Sequence, residues 1–353
     1  MKGLLLVGAD SCHLWRFCRM VQDQFETVIV VTNGPSGEGE CCATEIMTVD
    51  FSVRNPFSFL RTVGAIRKIY KKYRPEVVHI MQANTTATAT ILAVGRYKVP
   101  KVLTALGSDI LATPEQGLFY RQMVRYNISR ADICTSDSLY MAKAMEDLAG
   151  SKRMKIVIAN LGIGVEPNRG IPKENLIYSN RMHGKLYRID KVIEYFHEFM
   201  NTAKEDWRLV IAGQGTETGQ LKQQVQDLGL RDKIDFVGLL GSRENGAYYN
   251  RARIFISVPR SDATSVSLLE AMACGCLPVV SDLPANREWI SDGVNGKVVN
   301  EGESGVIDQA LSIDPAAAAN INREIIGRKA TVAVNREIFA GIYAELLKAG
   351  RAG

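Results

Sequence analysis

Along the first half of the chain, short runs of aliphatic and β-branched residues alternate with segments whose apolar positions recur every three or four residues. The runs Gly3–Ala9, Thr27–Asn33, Glu45–Phe51, Glu76–Met81, Lys101–Ala105 and Ile133–Thr135 predict strands. A Gly-Pro-Ser-Gly turn at 34–37 closes the second of them. Between the runs, His13–Gln24, Gln116–Ser129 and Ser138–Ala149 have helical spacing. So does a long stretch opened by Asn55-Pro56 and running to about Tyr73, with proline in its first turn.

After Asn160–Lys173, rich in Gly, Pro and Asn and read as a linker, the rhythm restarts. Strands are expected at Leu176–Ser179, Trp207–Ala212, Ile234–Val237, Ile254–Val258, Leu277–Ser281 and Gly296–Val299. Helices are expected at Asp190–Met200, Thr218–Leu228, Asn245–Arg251, Ser267–Cys274 and Asn286–Ile290. A final helix, Lys329–Leu347, follows a polar, Ala-rich stretch. Strands alternating with helices at this spacing indicate parallel sheets covered on both faces. The fold class is therefore α/β, with two Rossmann-like doubly wound domains and a cleft at the carboxyl ends of their sheets. The expected divisions are residues 1–165, residues 166–335 and a terminal helix over 336–353 packing back on the first domain.

At 353 residues, the chain has room for two ordinary cores. Its 46% hydrophobic and 23% charged content is that of a globular protein, and a net charge of +5 does not by itself call for nucleic acid or a membrane. No stretch approaches 18 apolar residues, and Asp10 interrupts the short run Leu4–Val7, so neither a membrane span nor a leader is expected. Cysteines stand at 12, 18, 41, 42, 134, 274 and 276, an odd number without CxxC pairs. They read as reduced, buried thiols of a cytoplasmic protein. With only four scattered histidines, no metal site is expected.

The chemistry concentrates in residues 261–282, SDATSVSLLEAMACGCLPVVSD. A loop of small residues, Ala263-Thr264-Ser265, leads into a helix beginning near Val266, and a helix N-terminus suits a diphosphate. Glu270, one turn inside, can accept two hydrogen bonds from a ribose cis-diol, and Asp262 can hold hydroxyls of a sugar. The alternative is a helix cap at Asp262 and a solvated Glu270.

This segment resembles the E-x7-E region of a large family of retaining glycosyltransferases, the family-4-like GT-B enzymes. That family includes sucrose synthases, bacterial mannosyltransferases and lipopolysaccharide glucosyltransferases. Glu270 with Ala271–Gly275 matches the second acid and its helix, Leu277–Asp282 the next strand, and Glu288 the acid after it. Asp262 stands where the family usually has Glu, and Ser265 where it usually has Gly. The resemblance implies donor contacts from Asp262, Thr264, Ser265, Val266 and Glu270. It implies a diphosphate contact from Arg181 and a second cation from Lys185 or Arg188. Gly213, in Ile211–Gly215, matches a loop where backbone nears the nucleotide, and Val237–Leu240 matches the border of the base pocket. In the first half, His79 and Asp109 match acceptor-side positions where catalysis is implied, but a histidine so placed is as readily structural and Asp109 can instead cap the next turn. Ser11 matches a loop that touches phosphate through its backbone.

The resemblance further implies retention at the anomeric carbon and no metal or other cofactor. The implied donor is a nucleoside-diphosphate sugar, UDP favoured, and the implied acceptor a glycan or lipid-linked hydroxyl of cell-surface polysaccharide or lipopolysaccharide synthesis. A nucleotide-sugar epimerase or hydrolase and a non-catalytic sugar-binding relative are the alternatives. The basic run Arg67, Lys68, Lys71, Lys72 and Arg74, interleaved by Tyr70 and Tyr73, suits either an anionic membrane surface on the cytoplasmic side or plain solvent.

Overall fold

The computed structural model describes residues 1–34, 42–52, 56–150, 154–167 and 170–352. Most of the 34–37 turn, Cys41 and Asn55 lie outside these residues. The chain divides into two compact units, residues 1–161 with 332–353 and residues 162–331.

In the first unit, seven strands among the described residues form one parallel sheet. They are β1 (Gly3–Val7), β2 (Thr27–Thr32), β3 (Glu45–Thr48), β4 (Val77–Met81), β5 (Lys101–Thr104), β6 (Ile133–Ser136) and β7 (Ile156–Ile158), in the order β3-β2-β1-β4-β5-β6-β7. The second unit has β8 (Glu174–Asn180), β9 (Arg208–Ala212), β10 (Ile234–Gly238), β11 (Ala252–Ser257), β12 (Leu277–Ser281) and β13 (Lys297–Val299), in the order β10-β9-β8-β11-β12-β13. The strand order reverses between β1 and β4 in one sheet and between β8 and β11 in the other. In such sheets, ligands bind beyond the carboxyl ends of the strands at that reversal.

The helices are α1 (Cys12–Val21), α2 (Pro56–Tyr73), α3 (Thr85–Val94), α4 (Ser108–Leu111), α5 (Leu118–Arg130), α6 (Leu139–Ala149), α7 (Ile189–Met200), α8 (Thr218–Asp227), α9 (Ser242–Arg251), α10 (Val266–Ala273), α11 (Pro284–Arg287), α12 (Val306–Leu311), α13 (Pro315–Lys329) and α14 (Val332–Ala352). Four of them, α3, α4, α12 and α13, and the strand β7 were not expected from the pattern. The segment α3 reads TTATATILAV, with seven of its ten residues buried, so it carries no polar stripe to mark a period. The Ala-rich stretch before the last helix is itself helical, begun by Asp314 capping the N–H groups of Ala316 and Ala317.

Each core follows from the apolar runs. One face of the second sheet packs Ile189, Val192 and Phe196 of α7 with Leu221 of α8 and Val306 of α12. The other packs Tyr249 of α9, Leu268 and Met272 of α10 and Ile326 of α13. In the first unit, α14 returns to bury Phe339, Ile342 and Tyr343 with Leu14, Phe17 and Phe25. The basic run of α2 divides. Arg67 turns inward to cap the carbonyls of Leu92 and Ala93 at the end of α3, and Tyr70 stacks on Tyr97. Lys68, Lys71 and Lys72 of α2 and Arg74 just after it stay exposed, and the helix also exposes Phe57 and Leu60. Among the described cysteines, Cys12 is exposed and the rest are buried, which corrects the expectation of uniformly buried thiols.

His79 lies inside the core of the first unit. It is fully buried in β4 between Phe17 and Tyr343, with ring nitrogens 2.8 Å from the Tyr343 hydroxyl and 2.7 Å from Thr104 Oγ1. Both nitrogens are spent, so His79 ties α14 to the sheet and has none left for an acceptor. Burial pulls its pKa down to about 3. The folded protein therefore keeps His79 neutral where an unfolded chain would protonate it. This contribution is fully present above about pH 6.5 and is lost as pH falls toward 3. About 2 kcal/mol should disappear between pH 7.5 and 5. Denaturant titrations at both pH values should show that loss in the wild type and a correspondingly smaller one in His79→Gln; equal losses would refute a neutral, buried imidazole.

Candidate active site

The reversal of the second sheet lies between β8 and β11, and the chain leaving β8 is held by the loop that follows β9. Gly213 has φ +117°, and a Cβ there would stand 2.3 Å from the carbonyl oxygen of Arg181; one on Gly215 would stand 2.3 Å from that of His183. Only glycine permits this approach. Three contacts close the two loops together. The His183 N–H donates to the Gln214 carbonyl at 3.2 Å, the Glu217 N–H donates to the His183 carbonyl at 3.0 Å, and His183 Nδ1 lies 2.9 Å from Thr218 Oγ1.

So held, Arg181 reaches the loop after β11. Its Nη1 donates to Ser265 Oγ at 2.5 Å and its Nη2 to Asp262 Oδ2 at 2.6 Å, while the guanidinium lies 4.6 Å above the ring of Tyr187. Ser265 Oγ also caps α10 by accepting from Leu268 N–H at 3.3 Å. Helix capping therefore falls to Ser265, not Asp262, and the residue that departs from the family's glycine has a double role. Burial pushes the Asp262 carboxyl above its ordinary range, against the pull of the Arg181 charge. Thr264 accepts a hydrogen bond from Trp289 Nε1 at 3.2 Å, which braces the loop from behind. Val266 opens α10, and the buried Glu270 accepts from Gly164 N–H at 3.3 Å.

Arg181, Asp262, Thr264, Ser265, Val266, Glu270 and Gly213 thus gather around one loop and helix start. Lys185 is exposed on a turn. Arg188, at φ +53°, makes a two-pronged pair with Glu301 at 2.7 and 3.0 Å, beside a cavity of about 480 Å³. In the first unit, Ser11 caps α1 by accepting from Leu14 N–H at 3.3 Å. Asp109 is buried, its oxygens accepting from Ala83 N–H at 2.7 Å and Leu106 N–H at 3.0 Å. It staples the loops after β4 and β5, in line with the structural one of its two readings. Tyr187 and Trp289 were not singled out from the sequence; an aromatic six residues beyond Arg181 was the available signal for the first.

Gly213→Ala should destabilise the protein by roughly 2–4 kcal/mol, since it combines backbone strain with a clash against a carbonyl. Gly219→Ala, in α8 with open space around its Cβ, should stabilise by up to about 1 kcal/mol. Urea titrations that give both substitutions the same sign would contradict the loop contact.

The family model described as "Glycosyl transferase 4-like" matches residues 2–138, and that described as "Glycosyl transferases group 1" matches residues 167–329. An alpha-monoglucosyldiacylglycerol synthase of Streptococcus pneumoniae is 25% identical over 272 residues, 70% of this chain and 62% of that one. The chain therefore spans somewhat under two thirds of that relative's length. Sucrose-phosphate synthase from Thermosynechococcus elongatus superposes with a TM-score of 0.80 at 14% identity, covering 99% of this chain and 100% of that one. Anabaena HepE in complex with UDP and glucose superposes with a TM-score of 0.76 at 14% identity, covering 98% and 100%. With one model on each of its α/β units and the same fold in these structures, this chain belongs to the family-4-like glycosyltransferases of the GT-B fold.

Proposed function

We propose that the chain is a retaining, metal-independent transferase that moves a sugar from a nucleoside-diphosphate sugar, UDP favoured, to a hydroxyl of a glycan or lipid-linked acceptor. The observation that carries this reading is the meeting of Arg181, Asp262 and Ser265 at the start of α10. A diphosphate leaving group gains negative charge as the glycosidic bond breaks. A guanidinium and the first-turn N–H groups of a helix stabilise that charge. Glu270 is the partner for the ribose diol and Asp262 for the sugar, with Lys185 as the second cation. The HepE structure that shares the fold holds UDP, which favours that base.

In the front-face route, the bond from the anomeric carbon to the phosphate oxygen breaks. The acceptor oxygen bonds to the same face of that carbon, and its proton passes to the departing phosphate. No protein base is required, in keeping with the full engagement of His79 and Asp109. The lipid-linked acceptor draws support from the diacylglycerol named for the Streptococcus relative and from the exposed lysines, Phe57 and Leu60 of α2. Lysines near an anionic surface contribute about 1 kcal/mol each. Among the described residues, no helix is long and apolar enough to cross a membrane. We place the chain in the cytoplasm, at the inner face of the membrane, in cell-surface polysaccharide or lipopolysaccharide synthesis.

Thermal-shift titration with UDP-, GDP- and ADP-sugars should raise the melting temperature for one base, and the shift should survive EDTA. A shift abolished by EDTA would overturn metal independence, and no shift with any of them would overturn the donor site. Arg181→Ala and Glu270→Ala should each lower turnover about 100-fold or more in protein that still melts cooperatively; wild-type rates in either would remove that residue from the site.

A further inference from the structure

At rest, the cation of the donor site is already occupied. The Arg181 side chain is mostly buried, and its two outer nitrogens are spent on Asp262 and Ser265, over the Tyr187 ring. Of the neighbouring cations, Arg188 is engaged by Glu301 and Lys185 stands on an exposed turn. An incoming diphosphate therefore meets a carboxylate beside the guanidinium it needs.

From this geometry we propose that Asp262 is a specificity residue that separates the sugar-bearing donor from the free nucleoside diphosphate, by competing with the diphosphate for Arg181. This rests on the donor site proposed above. When a nucleoside diphosphate alone takes Arg181, the mostly buried Asp262 carboxylate loses its partner and faces a second anion. Leaving a buried charge unpaired is unfavourable, and like charges in contact add to the penalty. When the nucleotide carries a sugar, its hydroxyls donate to Asp262 and replace what Arg181 withdrew. The residue thus weakens binding of the spent nucleotide more than that of the intact donor, and favours its release after transfer. Ser265 and the Tyr187 ring hold the guanidinium in place while its anionic partner changes.

The test is calorimetric titration of wild type, Asp262→Asn, Asp262→Ala and Asp262→Glu with UDP, GDP and ADP and with the corresponding glucose conjugates. For the base that wild type binds, Asp262→Asn and Asp262→Ala should bind the free diphosphate about tenfold more tightly. They should lose the preference for the sugar conjugate, and Asp262→Glu should retain it. Melting curves establish that each variant is folded. Free-diphosphate affinity that is unchanged or weaker in folded Asp262→Asn and Asp262→Ala would overturn the competition and leave the donor site standing. A wild type that binds none of these nucleotides would overturn the donor site and the competition together.

Discussion

Two backbone approaches, Gly213 against the carbonyl of Arg181 and Gly215 against that of His183, set the position of everything at the carboxyl end of the second sheet. Because no side chain stands at either position, the loops after β8 and β9 lie directly on one another, and their hydrogen bonds close the contact. Arg181 leaves this layer in one direction, toward the loop before α10. That loop is braced from its far side by the Trp289–Thr264 hydrogen bond. A guanidinium supported by a fixed backbone, an aromatic face and two oxygen acceptors is held in place before any ligand arrives. Such fixed charges stabilise a developing anion without reorganising.

The first unit spends its buried polar groups differently. His79 stands in the middle of β4 and Asp109 in the first turn of α4, and the hydrogen bonds of each go to structure. Asp109 joins the turn after β4 to the loop after β5, and Asn127 holds the carbonyls of Ala83 and Asn84 from the other side. Just before these ties Gln82 sits at φ +76°, a conformation that a residue with a Cβ rarely adopts. The buried network thus maintains loop shape at the end of β4. The proposed chemistry leaves proton transfer to the substrate's own phosphate, so these two residues are free to be structural.

The sheets were legible because fully buried parallel strands read as continuous apolar runs, and the runs fall within a residue or two of most observed strands. Helices were legible where they are amphipathic, as in α1 and α7. They were hidden where burial or composition removes the period, as in α3 and α13. At the site, Arg181, Asp262, Ser265 and Glu270 were marked by resemblance and by residue type. Their pairing was not, because residues 181 and 262 meet only through the two glycine contacts and the sheet reversal. The fate of Arg188 depended likewise on Glu301, which is 113 positions away. The position of His79 in its strand was equally compatible with catalysis and with burial; its bonds to Thr104 and to the Tyr343 hydroxyl of the last helix favour burial.

A protein that must receive a dianion has to store cations, and a partly buried arginine without a counter-ion is itself unfavourable. Here the second unit gives each of two arginines a carboxylate: Asp262 for Arg181 and Glu301 for Arg188. The pairs differ in where the acid stands. Glu301 is largely exposed, so its charge is screened and its hold on Arg188 is mainly geometric. Asp262 is mostly enclosed, and burial already raises its carboxyl, so the same pairing carries more energy and is more sensitive to a change of partner. The short side chain at 262 fits that role. An aspartate at the mouth of the α10 loop reaches Arg181 while Ser265 supplies the second acceptor. A glycine at 265 would leave the guanidinium with the carboxylate alone. The two departures from the family pattern, at 262 and 265, are therefore read most simply as one compensated pair.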